Sequence, residues 1–208
     1  VERLIRTYEK EDVLAVGGKM TPKWVAGKPS FLPEEFYWLI GVTHRGFADG
    51  HGEVRNTFGS NISFRCNVFL KLNGFDTNIG GRKGDKNLQG GETELCARLR
   101  TELDGTLYYN PDAKVRHKIF GYRTNPIWLF QRAFWQGYSK RAMEILVPED
   151  GIVEEEDYLR YLLFNSTPRL IRQGIKHIQV GSLLRLFMIY VFTFCVGIGY
   201  LYGITQWR

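Results

Sequence analysis

Between Asn56 and His117 the chain reads N-T-F-G-S-N-I-S-F-R (56–65), L-N-G-F-D (72–76), G-G-E-T-E-L-C-A-R-L-R (90–100) and Y-Y-N-P-D-A-K-V-R-H (108–117). In order, these are a small-residue loop, a turn, an acidic pair opening a helix, and a strand that delivers a histidine. A helix is expected over about residues 67–72, and Asn73-Gly74 is a strong turn signal. Leu95, Leu99 and Leu103 recur at helical spacing, with Glu92 and Glu94 in the first turn, where acids favour the macrodipole. Asp104-Gly105 ends that helix. Residues 106–109 and 113–117 read as two strands separated by a turn at Asn110-Pro111-Asp112.

N-terminal to this stretch, residues 1–10 carry a helical pattern with Leu4, Ile5 and Tyr8 on one face. Val13-Leu14-Ala15-Val16 is a short apolar run that suits a strand buried on both faces, and Gly17-Gly18 follows it. Residues 21–55 read as irregular, with Pro22, Pro29, Pro33 and a gathering of aromatics. A loop of that length is usually functional; aromatic packing of an excursion onto the core is the equal alternative. Residues 77–91 carry five glycines and three basic residues and read as a loop.

C-terminal to it, Pro126 suits the first turn of a helix running to about Leu146. A second helix is expected over 154–164, broken near Asn165-Ser166-Thr167-Pro168. A basic helix with Arg169, Arg172, Lys176 and His177 then leads into residues 186–206, which contain no charged side chain. A membrane-spanning helix needs about 20 mainly apolar residues, and this run suffices. Tyr200, Tyr202 and Trp207 lie toward its end, as interfacial aromatics do. The competing reading is a buried core helix. Basic residues crowd the N-terminal side and Arg208 alone lies beyond, so the positive-inside tendency leaves the preceding part cytoplasmic.

The chain has 208 residues, 44% apolar and 14% aromatic, with a formal net charge of +6. These values exclude a disordered chain and favour an anionic partner: nucleic acid, acidic headgroups or a phosphorylated substrate. Cys66, Cys96 and Cys195 lie far apart without a C-x-x-C pair, which argues against a disulfide framework or zinc knuckle. His44 and His51 have no ligand-type companions at suitable spacing and read as surface or structural. A nucleic-acid partner is not expected, because no helix-turn-helix, zinc or R-G-F-type signature accompanies the charge.

The stretch 56–117, with G-G-K-M-T-P at 17–22, resembles the acceptor-side half of a family 2 glycosyltransferase of the GT-A fold. The look of G-E-T-E-L-C-A-R-L and R-A-F-W-Q-G-Y-S-K most resembles archaeal enzymes that extend dolichyl-phosphate-linked glycans. The resemblance implies an α/β fold class: a partial GT-A fold over 1–120, amphipathic and basic juxtamembrane helices over 121–182, and one transmembrane helix over 183–206. It also implies transfer of a sugar from a nucleotide-diphosphate donor to a lipid-phosphate-linked acceptor, with inversion, at the cytoplasmic face of the cell membrane.

By the same resemblance, Glu92 stands at the catalytic-base position, with Gly91 where the family's first acid usually lies. Acids at helix starts are also ordinary capping devices, and on the residues alone that reading is the commoner one. His117 stands where similar enzymes hold a divalent metal (magnesium or manganese) on the nucleotide diphosphate; a lone histidine ending a strand is otherwise more often structural. Gly59, Ser60 and Asn61 would let backbone approach the sugar or acceptor, or would simply form a tight turn. Glu94, Arg132 and Trp135 complete the expected substrate-binding set. Gln131-Arg132-Ala133-Phe134-Trp135 is similar to the Q-x-x-R-W motif of processive members, but Phe134 occupies the arginine position, which argues against a processive polymerase.

The resemblance covers about residues 1–145. Its D-x-D motif would lie before residue 1, so the polypeptide alone is expected to be inactive. The alternatives are a transferase of cell-surface polysaccharide synthesis and a non-catalytic membrane-associated remnant of such an enzyme.

Overall fold

The computed structural model describes residues 1–83, 86–146, 153–177 and 180–207. A four-stranded sheet organises it, built from β1 (Ala15–Trp24), β2 (Gly52–Val54), β3 (Ile62–Phe64) and β6 (Leu107–Ile119) in the order β2-β6-β1-β3. β1 and β6 run parallel, and the outer pairings are antiparallel. A two-stranded hairpin (β4, Arg82–Lys83; β5, Lys86–Asn87) stands apart. The helices are α1 (Glu2–Lys10), α2 (Cys66–Lys71), α3 (Gly91–Leu103), α4 (Pro126–Leu146), α5 (Val153–Tyr161), α6 (Thr167–His177) and α7 (Val180–Gln206). This is the mixed α/β class expected, with one C-terminal apolar helix long enough to cross a membrane.

The central parallel pair is buried, as parallel pairs generally are: Ala15, Val16, Leu107 and Tyr109 are all inaccessible or nearly so. Two apolar cores share its length. Around Ala15 and Leu107, α2 contributes Val68, the residue after it Leu72, and α3 Leu95, Cys96 and Leu99. Around Met20 and Ile119, a 3-10 segment over Glu34–Ile40 contributes Phe36, Leu39 and Ile40, α4 contributes Leu129, and α7 contributes Ile189 and Phe192. Burial of these side chains, worth about 1.5–3 kcal/mol each, fastens the helical layer to the sheet.

Four details differ from the sequence reading. The turn at Asn110-Pro111-Asp112 does not divide two strands. β6 runs straight through, with Gly18 opposite Asn110 and Met20 opposite Val115, so residues 111–114 bulge opposite Lys19 alone. Asn110 Oδ1 accepts the Asp112 N–H at 2.8 Å, which makes the turn a closed local loop that pairing can bridge.

Residues 21–55 are also less irregular than their prolines imply. β1 continues to Trp24 through Pro22, because β3 pairs only with Ala15–Gly17 and leaves the far edge free of a ladder that proline would break.

On α1, Ile5 is 52% exposed and the buried position is Thr7. Its hydroxyl accepts from Asn110 Nδ2 at 2.8 Å, and Tyr8 donates to the Ser63 carbonyl at 2.8 Å, so hydrogen bonds orient this helix. Finally, the break near Asn165–Pro168 is a π-helical segment over Leu162–Ser166 that carries α5 into α6. Pro168 falls in the first turn of α6, where its missing N–H costs least. Arg208 lies outside the described residues.

Helix α4 is not laid on a surface as an amphipathic strip. It is clamped between the sheet side and α7, and the clamp uses glycine. A Cβ at Gly137 would overlap the Val196 carbonyl, and one at Gly199 would overlap the Phe134 carbonyl, so the two helix backbones touch. Small residues serve this purpose where helices must approach closely.

Candidate active site

An open cleft of about 2060 Å³ lies between the end of α3, the loop before β3, and one side of α4, α5 and α7. Glu92 stands at its floor. The chain enters α3 through Gly90 at φ +105°, a conformation that favours glycine, and Glu92 is the second residue of the helix. Its carboxylate accepts the Gly59 N–H at 3.1 Å. A Cβ at Gly59 would crowd that carboxylate, so a larger residue there would have to displace the Glu92 side chain. Asn56 Nδ2 donates to Thr93 Oγ1 at 2.8 Å and ties the same loop to the helix a second time.

Of the expected substrate-binding residues, Gly59, Ser60, Glu94 and Arg132 line this cleft with Glu92. Glu94 is buried and engaged by the Arg98 guanidinium, one contact being 2.8 Å; Arg98 also donates to the Gly74 carbonyl, so Glu94 serves to lock α3 onto the turn at 73–74. Asn61 lies beneath the loop. Its amide donates to the carbonyls of Lys19 at 3.2 Å and Ala113 at 2.8 Å, bracing β1 against the bulge of β6. Trp135 packs edge-on against Tyr138, with ring centroids 5.2 Å apart, in a small core with Ile79 and Leu88. The sequence shows residue types here and not facing, so the assignments of Asn61 and Trp135 could not be separated from the cleft-lining ones.

The opposite side of the cleft is cationic. Arg132 donates to Gln89 Oε1 and makes no direct ion pair among the described residues, though the Glu92 charge acts on it. Burial, then the Arg123 charge, push its guanidinium down to about 10, still protonated at neutral pH. Arg123 reaches His117 Nε2 at 3.0 Å from its Nη1. The guanidinium must donate, so Nε2 is unprotonated; burial and the neighbouring Arg123 charge hold the His117 pKa below its ordinary value. Arg123 is a site residue that sequence reasoning missed, since nothing in G-Y-R-T-N-P marks it before β6 and α4 are folded together.

These surroundings bear on the expected metal. His117 Nε2 is engaged by the Arg123 guanidinium, and no three described histidine, cysteine or acidic residues converge on a common point. These described residues do not by themselves complete a divalent-metal site, which needs several such ligands.

The chain is 46% identical over 205 residues, 98% of its length, to a glucosyl-dolichyl phosphate glucuronosyltransferase of Haloferax volcanii. It spans 65% of that relative's length. No family model matches the chain, and no solved structure matches it. In this chain the helix α7 contributes Thr193, Val196, Gly197 and Tyr200 to the cleft, a role that the apolar reading of residues 186–206 gave no reason to expect.

Proposed function

We propose that this chain forms the acceptor-side part of a membrane-anchored, inverting family 2 glycosyltransferase with a partial GT-A fold. It would move a sugar from a nucleotide-diphosphate donor to a lipid-phosphate-linked acceptor of the dolichyl or polyprenyl type. The observation that carries the reading is the presence of the Glu92 carboxylate and the buried Arg132 guanidinium in a single cleft. The similarity to an enzyme named for a dolichyl-phosphate substrate supports the choice of acceptor.

In the step proposed, an acceptor hydroxyl oxygen attacks the anomeric carbon of the donor sugar. The bond from that carbon to the diphosphate oxygen breaks, and the electron pair leaves with the nucleoside diphosphate. The hydroxyl proton passes to Glu92, which must lie within hydrogen-bond reach of it. Gly59 holds the carboxylate in place without covering it, and Ser60 lies at the cleft edge beside it. Arg132 and the Arg123–His117 pair supply fixed positive charge for phosphate oxygens, where preorganised donors outperform water. The expected divalent metal would require ligands beyond His117, and no step is assigned to it.

The apolar α7 would anchor the protein, with the basic residues of α6 on the cytoplasmic side and each contributing about 1 kcal/mol near an anionic surface. The decisive experiment is Glu92→Gln in the full-length polypeptide of the gene, assayed with nucleotide sugars and prenyl-phosphate-linked glucose. Glutamine keeps the Gly59 hydrogen bond and removes the base, so turnover should fall about 10²–10⁴-fold with the circular dichroism spectrum unchanged. Near-normal turnover would remove Glu92 from the role.

A further inference from the structure

Helix α7 has two faces that do different things. One turns outward: Phe187, Phe194 and Leu201 are all more than 60% exposed, as befits a surface in lipid. The inner stripe of Thr193, Val196, Gly197 and Tyr200, spaced i, i+3, i+4 and i+7, lines the same cleft as Glu92 and Arg132. Residues at this spacing share one helix face. A span that only anchored a catalytic domain would have no reason to form a wall of its cleft.

The two glycines on this part of α7 separate packing from opening. Gly199 is buried with its Cα against the Phe134 carbonyl, and any side chain there would overlap it. Gly197, two residues earlier, is exposed, and a Cβ built on it meets nothing within 4 Å. No packing requirement keeps residue 197 small, and in a helix glycine is the poorest choice short of proline. The notch it leaves opens into the cleft.

We propose that the inner stripe of α7, centred on Gly197, is the binding surface for the prenyl chain of the lipid-phosphate acceptor. This rests on the reading of the cleft as a lipid-linked transferase site. The stripe joins the apolar outer face of the helix, where such a chain would reside, to the cationic side of the cleft at Arg132, where its phosphate would be held. Thr193 satisfies its hydroxyl within the helix, donating to the Ile189 carbonyl at 2.8 Å, and so presents its methyl group. Tyr200 directs its hydroxyl to Glu144 at 2.9 Å, leaving its ring for apolar contact. Gly197 thereby sets which lipids fit, and no proton or bond change is assigned to the stripe.

The test is Gly197→Trp in the full-length polypeptide, with Ile198→Trp as the control, because Ile198 is the next residue and points outward. Transfer is measured to glucose carried on dolichyl phosphate and on the two-isoprene citronellyl phosphate. Gly197→Trp should raise KM for the dolichyl acceptor about tenfold or more while leaving the citronellyl acceptor within about twofold, since a filled apolar pocket discriminates by about that factor. Ile198→Trp should change neither.

Equal effects on both acceptors, or no effect on either, would overturn the proposal. A second readout does not depend on turnover: photolabelling with a diazirine-bearing dolichyl phosphate, followed by peptide mapping. Label on residues 193, 196 and 200 that Gly197→Trp abolishes supports the stripe, even if the wild type transfers no sugar and the transferase reading itself fails. Label confined to the outward residues overturns the stripe, even if transfer is normal.

Discussion

The two sides of the cleft are held in place by different means. On the Glu92 side, a short loop and the first turn of α3 are joined by individual hydrogen bonds, from Gly59 to Glu92 and from Asn56 to Thr93. On the α7 side, two long helices meet backbone to backbone through Gly137 and Gly199, with aromatic pairs such as Phe130–Phe192 filling the margins. Glycine is essential to both, but for opposite reasons. At residue 59 it lets a backbone N–H approach the Glu92 carboxylate, and at residue 199 it lets one helix approach another. The first side is therefore expected to govern chemistry with little effect on stability, and the second to govern stability first.

That division can be broken most directly at Gly199. Gly199→Leu places a side chain into the Phe134 carbonyl, and the helices must separate to admit it. Overpacking typically costs about 1–3 kcal/mol, occasionally more, and here the obstruction is backbone that cannot rotate away. The expected result is a loss of folded, extractable protein and a fall in melting temperature in detergent. Unchanged thermal stability would mean that α4 and α7 are not in backbone contact.

Gly59→Ala sharpens the other half. The added methyl displaces the Glu92 carboxylate or the loop by a few tenths of an ångström to an ångström, and misplacement on that scale can cost about 10²-fold in rate. Turnover should fall by one to two orders of magnitude while the melting temperature moves little. A large loss of stability without a matching loss of turnover would place Gly59 with Gly199, and the contrast between the two sides would fail.

The sequence showed the Glu92 side well, because its signals are local. Gly-Gly before Glu92, leucines at helical spacing and Asp104-Gly105 delimit α3 within a residue or so. The pairing of β1 with β6 was not visible. It joins residues about ninety apart, and the Asn-Pro-Asp turn inside β6 conceals its continuity. The α7 side was legible as a helix and illegible as a wall. Composition reports that residues 186–206 are apolar, but two glycines two residues apart look alike until the partner of each is known. Arg123 escaped notice for the same reason: a single arginine acquires meaning only from His117 and Arg132 beside it.

The smallest effect expected concerns that cationic group, which belongs to neither mode of construction. His117 has a folded-state pKa below its ordinary value of 6.5, set by burial and then by Arg123. The neutral imidazole is thus favoured in the folded protein. The associated stability is fully present above 6.5; it is lost as the pH falls from 6.5 toward the folded value, because the unfolded chain takes up the proton first. Arg123→Ala removes the second cause and leaves the first.

In an NMR titration, the His117 ring protons of Arg123→Ala should therefore titrate at higher pH than in the wild type, yet still below 6.5. If the arginine instead holds the ring by geometry alone, the titration will not move. Arg132 offers the check on whether charge is the agent. Arg132→Gln removes a second cation from the same cleft, and it should weaken binding of a nucleoside diphosphate more than Arg123→Ala does, since Arg132, unlike Arg123, is not engaged by His117.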